Sequence, residues 1–238
     1  MNSFISPEET ELTERFLRDG YIIAPAEDEE ALQYLHELVA PTDEGLTPQN
    51  LNECRLQVIA KLNDSDKSRL AYFCLAQNLL FTLIGSELAM QKKFNLSIQL
   101  PHDGTSLLPV HADSWAGDSP YQLVLWASFC DCTRTKSMFI LPPSEPFTVE
   151  GSSEDVYQRI KDRVKFLDVK YGEVVVFNPT LPHGNRVNEE EGTRWTINCR
   201  FKNLWSPYEK KGPGTDFEPI TLRAASKIGM SYEHPKRI

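Results

Sequence analysis

The spacing of apolar residues changes near residue 92. Before it, the period is helical. Ser6-Pro7-Glu8-Glu9 supplies an N-cap, a proline at the first helical position and acids at the positive helix end. Leu12, Phe16 and Leu17 then recur on one side until Gly20, a helix stop. Tyr21–Ala24 reads as a short strand. Asp28–Val39 predicts a second helix, with Ala31, Leu32, Leu35 and Leu38 on one face and an end before Pro41. Asp64–Gly85 predicts a third, apolar enough to be largely buried.

Beyond residue 92, short β-branched and aromatic runs are separated by Pro, Gly, Asp and Asn. They predict strands at Phe94–Leu100, Ser106–His111, Gln122–Cys130, Met138–Leu141, Val164–Val169, Glu173–Phe177 and Arg194–Phe201, with one helix at Ser153–Arg163. Short strands spaced by turn signals point to a sandwich or barrel. The tail from Pro207, with its Gly, Pro and Lys residues, is expected to wrap the surface. The expected organisation is one domain: helical support over 1–92, a β core over 93–202 and a C-terminal wrap over 203–238.

Composition narrows the function. With 40% hydrophobic and 25% charged residues, the chain of 238 residues is globular. Its net charge of −9 brings no counterion release on a phosphate backbone, so no nucleic-acid partner is expected. The longest apolar run, Leu70–Ile84, contains Gln77 and Asn78 and is too short to span a bilayer. The N-terminus has no apolar signal core, and the five cysteines form no framework, so reduced thiols in a cytoplasmic protein are expected.

The histidines carry the chemistry. His36 lies in an amphipathic helix, His102 follows a proline and His234 sits in the tail. His111 differs, because Asp113 stands two residues on and would point the same way from an extended backbone. Downstream, Gly172-Glu173 opens an apolar strand that leads to His183, and Arg194 follows eleven residues later. Two imidazoles and one carboxylate, His111, Asp113 and His183, are the facial triad of non-haem iron(II) sites, which leaves positions open for a chelating co-substrate and dioxygen. Arg194 is placed to fork onto the far carboxylate of 2-oxoglutarate. Arg194, Thr196, Asn198 and Arg200 share one strand face, while Trp195, Ile197, Cys199 and Phe201 take the other. The polar face is expected inward.

Residues 93–202 resemble the iron(II)- and 2-oxoglutarate-dependent dioxygenases, most closely the phytanoyl-CoA dioxygenase-like branch with its relatives in sugar and antibiotic gene clusters. The resemblance rests on His111-x-Asp113, Gln122–Phe129 with its central Trp126, Ser137–Glu145 (SMFILPPSE), Gly172–Phe177 (GEVVVF), His183 and Arg194. It departs at Lys136-Ser137 and at Pro143, where the branch has glycine. It implies a mainly β fold with flanking helices, a double-stranded β-helix or cupin-like jelly roll. It also implies a dioxygenase that hydroxylates a polar small molecule such as a sugar or sugar-derived metabolite, using iron(II), 2-oxoglutarate and dioxygen. Thr196 falls where the family has a hydroxyl on the co-substrate carboxylate. A carboxylate at 113, absent from related halogenases, implies oxygen insertion or desaturation.

Other polar residues are less constrained. Gln99 and Asn95 share a face and either can hydrogen-bond the co-substrate. Arg200 is a second inward cation, for an anionic substrate or for a structural pair. Trp115 offers a platform for substrate at the pocket mouth or a hydrophobic plug. Trp126 fits the core better than the site. Cys130-x-Cys132 lacks partners for a metal pair. Glu189–Glu191 reads as a solvated hairpin tip. Two further readings share these residues. One is a non-catalytic cupin-like sugar or metal binder. The other is a zinc hydrolase, which lacks an evident general base.

Overall fold

The computed structural model describes residues 4–40 and 45–235. Helix α1 (Pro7–Asp19) begins with a reciprocal capping box between Ser6 and Glu9 and ends on Gly20 in the left-handed region. A side chain at Gly20 would collide with Leu181 and Pro143, so glycine is required there on two counts. Strand β1 (Tyr21–Pro25) follows, then α2 (Glu29–Val39), capped by Asp28. Pro41, the expected stop, lies outside the described residues.

The next stretch departs from expectation. A helix α3 (Leu51–Asn63) occupies a region for which the sequence signalled none. Its buried residues are Leu51, Val58 and Leu62, but Leu56, Ile59 and Ala60 spread apolar positions around the helix, so no single stripe stands out. The single helix expected over Asp64–Gly85 is two, α4 (Asp66–Cys74) and α5 (Gln77–Ile84). The break has a tertiary cause. Glu27 Oε2 accepts the Asn78 N–H at 2.8 Å and Oε1 accepts the Leu79 N–H at 2.9 Å. A carboxylate from the β1–α2 connection therefore caps α5, and no local pattern encodes that.

The strands are β2 (Leu88–Gln91), β3 (Asn95–Gln99), β4 (Gln122–Ser128) and β5 (Phe139–Ile140). Helix α6 (Ser153–Ile160) intervenes before β6 (Lys165–Phe166), β7 (Glu173–Phe177), β8 (His183–Gly184) and β9 (Arg194–Asn203). The tail forms β10 (Phe217–Pro219) and α7 (Ala224–Ser231), where only a surface wrap was expected. The expected strand Ser106–His111 is also corrected. That segment is turn and coil, joined to the sheet at one bridge, His111 to His183. Its carbonyl and amide groups serve the site instead.

Seven strands form one antiparallel sheet in the order β1-β7-β4-β9-β2-β10, with β3 paired to β9. A smaller antiparallel sheet runs β6-β5-β8. Helices α1–α5 cover the outer face of the large sheet, while α6 packs on the smaller one through Val156 and Ile160. Leu125, Val176, Trp195, Ile197 and Phe201 point outward into the core they share with Leu35, Tyr72 and Leu80. The Tyr72 hydroxyl donates to the Leu125 carbonyl at 2.5 Å, tying α4 to the sheet. The inner face carries Val124, Trp126, Val175 and Phe177, which pack with Met138, Ile140 and Leu181 near the smaller sheet. Because β4 and β7 are covered on both faces, they read as continuous apolar runs.

Candidate metal centre

Two backbone hydrogen bonds bring the histidines together. The His111 N–H donates to the His183 carbonyl at 3.0 Å, and the His183 N–H to that of His111 at 2.8 Å. Gly184 makes this pairing possible. A Cβ there would stand 2.8 Å from the Leu108 carbonyl oxygen and 3.1 Å from that of Pro109. The two imidazoles lie 4.3 Å apart, centroid to centroid. His111 Nδ1 sits 2.8 Å from the Pro109 carbonyl and His183 Nδ1 2.8 Å from that of Leu181. A carbonyl only accepts, so each Nδ1 carries a proton and Nε2 is the ring nitrogen left to ligate a metal.

Asp113 begins a short helical turn, Asp113–Ala116, directly after extended Ala112. Its Oδ1 lies 3.8 Å from His111 Nε2. One donor atom from each of His111, Asp113 and His183 falls within 4.8 Å of the others, the grouping a single divalent ion needs. The donor set of two imidazoles and one carboxylate suits iron(II) and leaves part of the coordination sphere to other ligands.

The electrostatics favour the ligating forms. Burial works to raise the Asp113 carboxyl, but Arg200 and the two histidines more than offset it and hold the group below its ordinary value. Burial, reinforced by His111, pushes His183 from near 6.5 down to about 4. At neutral pH, therefore, no proton competes for its Nε2. Between those two pH values the unfolded chain binds a proton at residue 183 that the folded chain rejects. The metal-free protein should thus lose stability as pH falls through that window, by up to about 3 kcal/mol from this residue. Urea unfolding at a series of pH values checks this. The parent should weaken more steeply than His183→Gln, and equal slopes would show that the imidazole titrates as freely folded as unfolded.

The triad lies in a cavity of about 540 Å³, within the size range of small-molecule sites. Arg194, Thr196, Asn198 and Arg200 all line it, so the polar face of β9 points inward. Arg194 is buried. Its Nη2 donates to Ser97 Oγ at 3.0 Å, while Nε and Nη1 have no hydrogen-bond partner among the described residues. Such a guanidinium fork, stranded in a cavity, fits an incoming carboxylate. Thr196 Oγ1 reaches the Ser97 carbonyl at 3.5 Å.

Arg200 is occupied. Its Nη2 lies 2.6 Å from Asp113 Oδ1 and its Nε 3.2 Å from Oδ2, a two-point clamp on the triad carboxylate. Nε also lies 3.6 Å from Asp118, which Lys211 contacts from its other side. Of the two roles left open for Arg200, this geometry displays the structural pair. Gln91 Oε1 accepts from Arg200 Nη1 at 3.1 Å. Gln99, the cross-strand neighbour of Arg194, is buried but is not among the cavity-lining residues; its amide donates to the Arg186 carbonyl at 2.5 Å. Asn95 does line the cavity, with its amide on Asn198 at 2.9 Å.

Trp115 is 42% exposed, packs beside Phe147 and does not line the cavity. Trp126 both packs in the inner core and forms part of the cavity wall. His36 bonds Tyr171, away from the cavity. The thiols of Cys130 and Cys132 approach to 3.8 Å beside Ser128. Among the cavity residues that went unmarked in the sequence are Arg55, Gln91 and Lys211. Ser97 was readable, since it shares strand parity with Asn95 and Gln99.

No family model matches the chain, and no curated protein matches it. Solved structures do. A non-haem monooxygenase, ThoJ, solved as a nickel complex, superposes with a TM-score of 0.63 at 17% identity, covering 90% of this chain and 85% of that one. EctD from S. alaskensis, solved with 2-oxoglutarate and 5-hydroxyectoine, gives 0.59 at 19%, covering 86% and 78%. HygX from Streptomyces hygroscopicus, solved with nickel and 2-oxoglutarate, gives 0.54 at 13%, covering 86% and 89%. At these identities the likeness shows the fold. ThoJ and HygX hold nickel, HygX and EctD hold 2-oxoglutarate, and the triad here is one that can hold iron(II).

Proposed function

We propose that the protein is an iron(II)- and 2-oxoglutarate-dependent dioxygenase of the phytanoyl-CoA dioxygenase-like branch, hydroxylating a small polar molecule. Under this reading the two sheets are the walls of a jelly roll, and the site lies between them. One coincidence carries it. A His–Asp–His triad and a buried arginine with two unpartnered guanidinium nitrogens line the same cavity.

His111, Asp113 and His183 would hold the metal on one face. Arg194 would take the C5 carboxylate of 2-oxoglutarate, with Thr196 beside it. With iron(II) and 2-oxoglutarate bound, dioxygen would be the oxidant, one of its atoms going to succinate as 2-oxoglutarate loses carbon dioxide and the other to a substrate C–H bond. The protein's own part is placement and dryness. Trp126, Met138 and Phe177 give the cavity an apolar wall. Arg200 prevents the Asp113 carboxylate from rotating away from the histidines. The Nδ1 hydrogen bonds of His111 and His183 fix both rings with Nε2 toward the metal.

Supplied with iron(II), 2-oxoglutarate and air, the protein should release succinate slowly even without its substrate. Asp113→Ala should stop that release. Succinate unchanged by the substitution, or absent under every iron-replete condition, would favour the non-catalytic binding module.

A further inference from the structure

Four cationic side chains line the cavity: Arg55, Arg194, Arg200 and Lys211. Among the described residues, the one carboxylate lining it is Asp113. This surplus stands in a chain whose net charge is −9. Two of the four cations are satisfied internally, Arg200 by Asp113 and Lys211 by Asp118. The other two make no ion pair among the described residues. Arg194 is the deep one and belongs to the co-substrate in the reading above.

Arg55 is the remaining one. It rises from α3 and is half-buried at the side of the cavity formed by Thr105, Ser106 and Asn95. Its hydrogen bonds go to neutral oxygens, Ser106 Oγ at 3.0 Å and Asn52 Oδ1 at 3.4 Å. Ser106 belongs to the segment that continues to His111, so the contact holds the guanidinium over the chain that delivers the triad. A cation held in this way beside a cavity, with no acid of its own among the described residues, is suited to an oxyanion from outside. The Asn95–Asn198 pair, which lines the same cavity, offers amide groups for hydroxyls. The cavity's net positive character also draws anions toward it.

We infer that the substrate carries an oxyanion, a carboxylate or a phosphate ester, and that Arg55 binds it. The inference rests on the dioxygenase reading, since it assigns Arg194 to 2-oxoglutarate and leaves Arg55 for the substrate. Two anions would then enter one cavity, each with its own arginine.

The test uses the full chain loaded with iron(II) and 2-oxoglutarate without oxygen, so that Arg194 is occupied. Three probes with one carbon skeleton, glycerol 3-phosphate, glycerate and glycerol, are titrated by calorimetry while the visible band of the chelated keto acid is recorded. At least one charged probe should bind and glycerol should not; the tighter of the two identifies the anion. Arg55→Ala should weaken that binding about tenfold or more, as loss of a charge-assisted hydrogen bond does, and Arg55→Lys should restore part of it. A normal band with no charged probe bound, with glycerol bound equally well, or with Arg55→Ala binding like the parent, overturns the inference alone. No band, yet Arg55-dependent anion binding, overturns the enzymatic reading and leaves the anion site standing.

Discussion

His183→Ala should abolish the visible charge-transfer band that the protein shows with iron(II) and 2-oxoglutarate in the absence of oxygen. The expectation comes from the residue's surroundings. His183 is buried, its Nδ1 is committed to the Leu181 carbonyl and its Nε2 is held free of protons. No other imidazole of the described residues joins the His111–Asp113 group, so nothing can replace it. Loss of a group that only orients a ligand costs about 10–100-fold in metal affinity or activity. Loss of the ligand itself should exceed that, and succinate release should fall below detection. The variant must remain folded for the result to count, and its unfolding midpoint without metal provides that control. A band of full strength in a folded His183→Ala protein would remove His183 from the metal site.

The parts of the site that lie close in sequence were legible. His111 and Asp113 are two apart, and the extended backbone at Ala112 keeps them on one side, as parity requires. The alternation along β9 separated Arg194, Thr196, Asn198 and Arg200 from Trp195, Ile197, Cys199 and Phe201, and the structure puts the first group on the cavity and the second in the helix-covered core. Strand β7 and the Ser6 cap follow from local pattern alone. What the chain could not display locally are relations between distant segments. Glu27 starts α5 from outside the helix. Arg55 reaches the cavity because α3 packs on β3, and neither the helix nor its docking has a strong periodic signature. The Arg200 clamp on Asp113 joins residues 87 positions apart. The segment before His111 carried strand-like residues, yet its polar groups answer to Asn185 and His183 and not to a ladder. Tertiary hydrogen bonds overrode propensity there.

The two inward arginines of β9 should therefore fail in different ways. Among the described residues Arg194 has no acid of its own and two nitrogens without a hydrogen-bond partner, which suits it to a partner from solution. Burial already pulls it down from its ordinary value, although a guanidinium stays charged at neutral pH. Removing one partner of a buried, hydrogen-bonded charge pair costs on the order of 2–5 kcal/mol. At about 1.4 kcal/mol per tenfold, that is roughly thirty-fold or more in affinity. Arg194→Ala should raise the 2-oxoglutarate concentration needed for succinate release by at least that factor. Arg200→Ala should leave this requirement nearly unchanged and raise the iron requirement, because the Asp113 carboxylate loses its two-point clamp. Succinate release measured against 2-oxoglutarate at fixed iron, and against iron at fixed 2-oxoglutarate, separates the two. If Arg200→Ala gives the large shift in 2-oxoglutarate and Arg194→Ala does not, the carboxylate acceptor is Arg200. The clamp on Asp113 would then have to open whenever co-substrate binds, and the unpartnered nitrogens of Arg194 would need another ligand.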